Sequence, residues 1–114
     1  MPVTGRKEET DMKILKSNEY KELVEERAGL CVLDLYADWC GPCRMMAPVM
    51  EGLEAEYPDV FFAKVNVDTD GDLAAKFGCE SIPMIVLVKG GAPVATSVGY
   101  VPAERIAALI EENR

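Results

Sequence analysis

Residues 30–57 read L-C-V-L-D-L-Y-A-D-W-C-G-P-C-R-M-M-A-P-V-M-E-G-L-E-A-E-Y. Leu30 to Tyr36 form a near-continuous apolar run of strand length, interrupted by one charge, Asp34. Such a run suits a strand covered on both faces. Past the two cysteines, Met46, Val49, Met50, Leu53 and Tyr57 recur at helical spacing and mark the core face of a helix from about Gly41 to Tyr57. Pro48 lies inside it and predicts a kink. Between strand and helix stand Cys40 and Cys43, separated by Gly41 and Pro42, with the only tryptophan, Trp39, just ahead.

Outward from this stretch the rest of the chain falls into line. M-K-I-L (12–15) reads as a short strand, followed by a helix through E-Y-K-E-L-V-E-E-R with Asn18 as N-cap. Val60 to Val67 is a strand, D-L-A-A-K-F (72–77) a short helix, and M-I-V-L-V-K (84–89) a strand. Gly90-Gly91 predicts a hairpin turn into P-V-A-T-S-V (93–98). Val101-Pro102 opens a last helix with Ile106, Leu109 and Ile110 inward and Pro102 near its first position. The order β-α-β-α-β-α-β-β-α predicts an α/β fold: a central mixed sheet, parallel in part, with helices on both faces. Residues 1–11 read as a flexible extension and 12–114 as the single folded domain.

Composition narrows the function classes. Twelve basic residues against twenty acidic give a net charge of −8, which repels nucleic-acid phosphate. No run approaches the roughly 18 apolar residues of a membrane span. The polar start M-P-V-T-G-R-K-E-E-T-D lacks the apolar core of a secretory signal. The expectation is a cytoplasmic address with thiols kept reduced. The chain has no histidine, so the commonest metal ligand and the usual general base are both missing.

Three chemistries compete for Cys40 and Cys43. As a staple, a four-residue ring is worth roughly 2 kcal/mol, against about 3 for a fifteen-residue one, and it pins only one helical turn. Structural zinc wants four ligands, yet Cys31 and Cys79 stand alone in apolar stretches, so no metal is expected. A redox couple fits better. Cys40 lies where a loop enters a helix, and the free amide N–H groups and helix dipole there favour its thiolate, making it the attacking sulfur. Cys43, one turn on, is in reach as the resolving thiol, while Pro42 stiffens the short loop. Asp34 has two readings: a strand-end carboxylate satisfied by water or backbone, or a desolvated carboxyl behind the cysteines that exchanges protons with Cys43. Lys64 either reaches solvent or neighbours Asp34 from the adjacent strand and biases its charge. Base rates for X-Pro bonds favour trans at Ile82-Pro83. Cys31 and Cys79 read as buried core thiols, the alternative being oxidative regulation or intermolecular pairing.

W-C-G-P-C with an upstream D-L-Y-A-D and a following R-M-M-A-P resembles the thioredoxin family, as do A-K-V-N-V-D at 63–68, S-I-P at 81–83 and the K-G-G…V-G stretch from 89 to 99. The resemblance spans about residues 12 to 112 and implies the three-layer α/β/α thioredoxin fold. It implies Cys40 as nucleophile, Cys43 as resolving cysteine, Asp34 as the buried aspartate and Lys64 as its neighbour. It also implies a cis bond at Pro83, and a shallow substrate groove at Trp39, Ile82, Pro83 and Gly99. Gly41-Pro42 between the cysteines reads as a reductant within the family. Met84 stands where a threonine is usual and Tyr36 where tryptophan is frequent.

The implied activity is that of a protein-disulfide reductase serving electron transport and cell redox homeostasis, with no bound cofactor. Its partners would be disulfide-containing client proteins and a thioredoxin reductase, with no nucleic acid or membrane, and the chain would act as a monomer. The competing reading is a binding module whose groove docks a partner, its redox chemistry incidental. An oxidase or isomerase is disfavoured by Gly-Pro and the missing signal.

Overall fold

The computed structural model describes residues 12–114; the expected extension over residues 1–11 lies outside the described residues. Five strands, β1 (Lys13–Ile14), β2 (Leu30–Tyr36), β3 (Phe61–Asn66), β4 (Met84–Lys89) and β5 (Ala92–Val98), form one sheet in the order β1-β3-β2-β4-β5. β1 and β2 run parallel to β3, while β4 runs antiparallel to β2 and to β5. The mixed sheet expected from the element order is therefore present, with β2 at its centre.

Three α-helices follow in chain order: α1 (Gly41–Glu56), α2 (Gly71–Lys76) and α3 (Ala103–Asn113). Alternation along the strands sorts the core into two layers. Leu30, Val32, Phe62, Ile85 and Leu87 face Met46, Met50 and Leu53 of α1 and Ile106 and Ile110 of α3. Cys31, Leu33, Leu35, Val65, Val86 and Val88 point the other way, onto Tyr20, Val24 and Leu73 of α2. Leu109 is half-buried against the first layer. Asp34 shares the parity of Leu30 and Val32, so it points at α1, beneath the helix end that carries the cysteines.

Local reading is corrected in one element. The segment after β1 is a 3₁₀ turn (Ser17–Glu19) running into a π-helical turn (Lys21–Glu25), not an α-helix, and Asn18 does not cap it. Instead the Ser17 N–H donates to Asp70 Oδ2 (2.7 Å) and the Lys16 N–H to Glu19 Oε1 (3.0 Å). A carboxylate 53 residues away thus anchors the entry to this segment through the Ser17 amide. Pro102 precedes α3 as its N-cap, one position earlier than expected. Gly90 and Gly91, at φ +62° and +83°, make the tight β4–β5 turn that needs two left-handed residues. A register shift at Leu87/Val88 and Pro93 opposite Val88 mark the outer strand pair.

Candidate functional site

β2 ends at Tyr36, and four residues later the chain turns into α1 with Cys40 as N-cap. Cys40 is extended (φ −89°, ψ 113°), and its sulfur accepts the Cys43 N–H at 3.2 Å. This is one of the unpaired donors of a helix start, and a sulfur takes the place of the usual oxygen. Pro42, in the first turn, has no N–H to satisfy. Cys40 and Cys43 are joined as a disulfide with Cα atoms 5.2 Å apart, inside the span a disulfide bridges. Both are largely buried, at 5% and 4% exposed, so the sulfurs present only an edge to the surface.

That edge is bordered by the residues expected of a docking groove. Trp39 is 68% exposed, its indole N–H donating to Asp68 Oδ2 at 2.8 Å. The Ile82 carbonyl oxygen lies 3.9 Å from the Cys40 sulfur. The Ile82–Pro83 bond is cis, as the resemblance implied and against the base rate for X-Pro bonds. Gly99, at φ +90°, donates its N–H to the Pro83 carbonyl at 2.8 Å, which ties it to the far side of that proline. A cavity of about 190 Å³ beside the disulfide is lined by Trp39, Val67, Ala74, Cys79, Glu80, Ser81 and Ile82. Ile82 thus packs against the disulfide, Trp39 immediately precedes Cys40 and shares a cavity with Ile82, and Gly99 is hydrogen-bonded to Pro83.

Asp34 and Lys64 lie on the other side of Cys43. They are register partners across β2 and β3, and with Tyr36, Asp38, Cys43 and Arg44 they line a second cavity of about 200 Å³. Asp34 Oδ1 is buried with no hydrogen-bond partner. Desolvation pushes the carboxyl from its ordinary 3.8 up to about 7, with the Lys64 charge pulling the other way. A carboxyl near neutrality under a thiol has the properties of a proton acceptor and donor. The Asp34 carboxyl is therefore buried and desolvated, with one oxygen unpartnered.

The sequence reading missed Asp68, whose grip on Trp39 spans 29 residues, and Arg44, whose guanidinium donates to the Asp38 carbonyl at 2.9 Å. It also placed Cys79 in the core. Cys31 is fully buried, but Cys79 is half-buried on the groove wall because the chain has left α2 and not yet entered β4. Burial raises the pKa of both thiols.

A family model described as Thioredoxin matches residues 11–112. A thioredoxin of Bacillus subtilis is 38% identical over 103 residues, covering 90% of this chain and 99% of that protein. One of Chlamydia pneumoniae is 37% identical over 102 residues, covering 90% and 98%. Among solved structures, oxidised mitochondrial thioredoxin 3 from Saccharomyces cerevisiae superposes with a TM-score of 0.84 at 32% identity, covering 92% of this chain and 98% of that one.

Proposed function

This chain belongs to the thioredoxin family and is a thiol–disulfide oxidoreductase, and from that premise we propose how its residues divide the reaction. In the dithiol form the Cys40 thiolate attacks one sulfur of a client disulfide. A Cys40–client bond forms, the client's own S–S bond breaks, and its second sulfur leaves as a thiolate that takes a proton from water. Cys43 then passes its proton to the Asp34 carboxylate and attacks the Cys40 sulfur. The mixed disulfide breaks, the client's sulfur leaves as a thiolate that takes up the proton held by Asp34, the client departs as a dithiol, and the electron pair has moved from the Cys40–Cys43 thiols to the client. Oxidised protein remains, and a thioredoxin reductase returns it to the dithiol.

The carrying observation is the Cys40–Cys43 disulfide at the start of α1 with the buried Asp34 carboxyl, one oxygen unpartnered, beneath it. Helix-end donors favour the Cys40 thiolate, and the carboxyl poised near 7 supplies the base that a chain without histidine otherwise lacks. Gly41 and Pro42 hold the sulfurs one turn apart and tune the couple, and Lys64 biases Asp34. Trp39, Ile82, Pro83 and Gly99 form the groove for the client backbone. Acting as a monomer fits a site built from one chain. A reducing cytoplasmic compartment fits the two free thiols, Cys31 and Cys79. No helix among the described residues is long and apolar enough to cross a membrane.

The test is a trap. Cys43→Ser, mixed with an oxidised disulfide protein such as insulin, should accumulate a mixed disulfide at Cys40 that mass spectrometry maps, while Cys40→Ser should trap nothing and lose turnover. Capture on Cys43 in the Cys40→Ser protein would reverse the roles. A Cys40→Ser protein that keeps its full activity would return the binding module to favour.

A further inference from the structure

Tyr36, half-buried, lines the same cavity as Asp34, Lys64 and Cys43. It is two residues beyond Asp34 on β2, so both side chains leave the same face of the sheet. Lys64 of β3 is the direct neighbour of Asp34 and the diagonal neighbour of Tyr36, within reach of either. Its ammonium sits 5.3 Å from the centre of the Tyr36 ring, and Lys64 and Asp34 make no direct ion pair. The ring's electron-rich face takes the cation that the carboxylate would otherwise hold.

We propose that Tyr36 is a positioning residue for the resolving step: its ring keeps the Lys64 ammonium off Asp34, and so sets how readily that carboxyl accepts the Cys43 proton. The proposal rests on the role assigned to Asp34 above. Few groups compete for that control. β3 contributes Lys64, α1 contributes Cys43 and Arg44, the β2–α1 loop contributes Asp38, and β4 presents the apolar Ile85 opposite Asp34. The Arg44 guanidinium is already engaged by the Asp38 carbonyl. Asn66, across from Tyr36 in register, is uncharged and adds no competing cation. Lys64 is therefore the cation that matters to Asp34, and Tyr36 decides where it stands. An ammonium closed onto Asp34 would lock the charged form and leave a weaker base under Cys43.

The experiment is a double-mutant cycle read by carbon-13 NMR titration of the Asp34 carboxyl in the oxidised protein, where neither active-site cysteine titrates. Tyr36→Leu should lower the Asp34 pKa by roughly one unit or more as Lys64 closes in. Tyr36→Phe, which keeps the ring, should match the parent. Lys64→Gln should raise the pKa, and in that background Tyr36→Leu should have no further effect. If Tyr36→Leu does not fold, Tyr36→Met makes the same comparison with a longer side chain. An equal fall in the Lys64→Gln background would mean that Tyr36 merely excludes water, and it would overturn the proposal, as would an unmoved pKa in Tyr36→Leu. The titration reads Lys64 placement alone. The proton role of Asp34 is judged separately, by whether Asp34→Asn slows release of the client.

Discussion

Asp34 is 5% exposed with one oxygen unpartnered, and its raised pKa of about 7 makes the fold sensitive to pH. The folded carboxyl keeps its proton over an interval in which the unfolded one, near 3.8, has lost it. Folding therefore takes up a proton between those values. Stability is greatest below the unfolded value and falls as pH rises through about 7, by on the order of 4 kcal/mol in all. Asp34→Asn should remove this slope. In urea unfolding the variant should exceed the parent by up to about 4 kcal/mol near pH 8 and by nothing near pH 3. Its resolving step should slow by at least about tenfold, measured as decay of the mixed disulfide. At this scale the sequence was most legible where chemistry is local: the spacing of Cys40 and Cys43 and the lone charge of Asp34 in an apolar strand. Asp68 was illegible because its bond to Trp39 depends on the turn after β3, where the Asn66 side chain accepts the Asp68 and Thr69 N–H groups.

Asp70 does at the level of elements what Asp34 does at the level of chemistry. Buried, it caps α2 by accepting the Leu73 N–H at 3.1 Å, and with its other oxygen it accepts the Ser17 N–H. One side chain thus ends one element and begins another. Asp70→Ala should cost about 2 kcal/mol in chemical denaturation, more than an ordinary cap, because a second amide is orphaned with it. Asp70→Asn should recover part of that. The same residue explains why the first helical segment was misread. Its amphipathic pattern was visible in Tyr20 and Val24, but its entry is set by a carboxylate from the far side of β3. The β4–β5 turn was readable, since two glycines between apolar runs leave little else, but the register shift at Leu87/Val88 was not. The apolar run of β2 likewise announced a central strand, because a strand packed on both faces cannot alternate.

Over the whole molecule, the sheet separates two layers of core, and the disulfide sits at one end of one layer. Closing a four-residue ring should stabilise the oxidised protein over the dithiol by about 2 kcal/mol, seen as a lower urea midpoint when dithiothreitol is present. A reduced form as stable as the oxidised one would show that packing around Cys43 tightens when the bond opens. The outer strands carry a consequence of their own. At one margin β1 offers two residues among those described, and at the other Pro93 and the shift at Leu87/Val88 interrupt the β4–β5 pairing. Among the described residues, a two-residue margin on one side and a proline-interrupted one on the other leave little unpaired backbone for a further strand to add to, which is how sheet edges resist pairing with other chains.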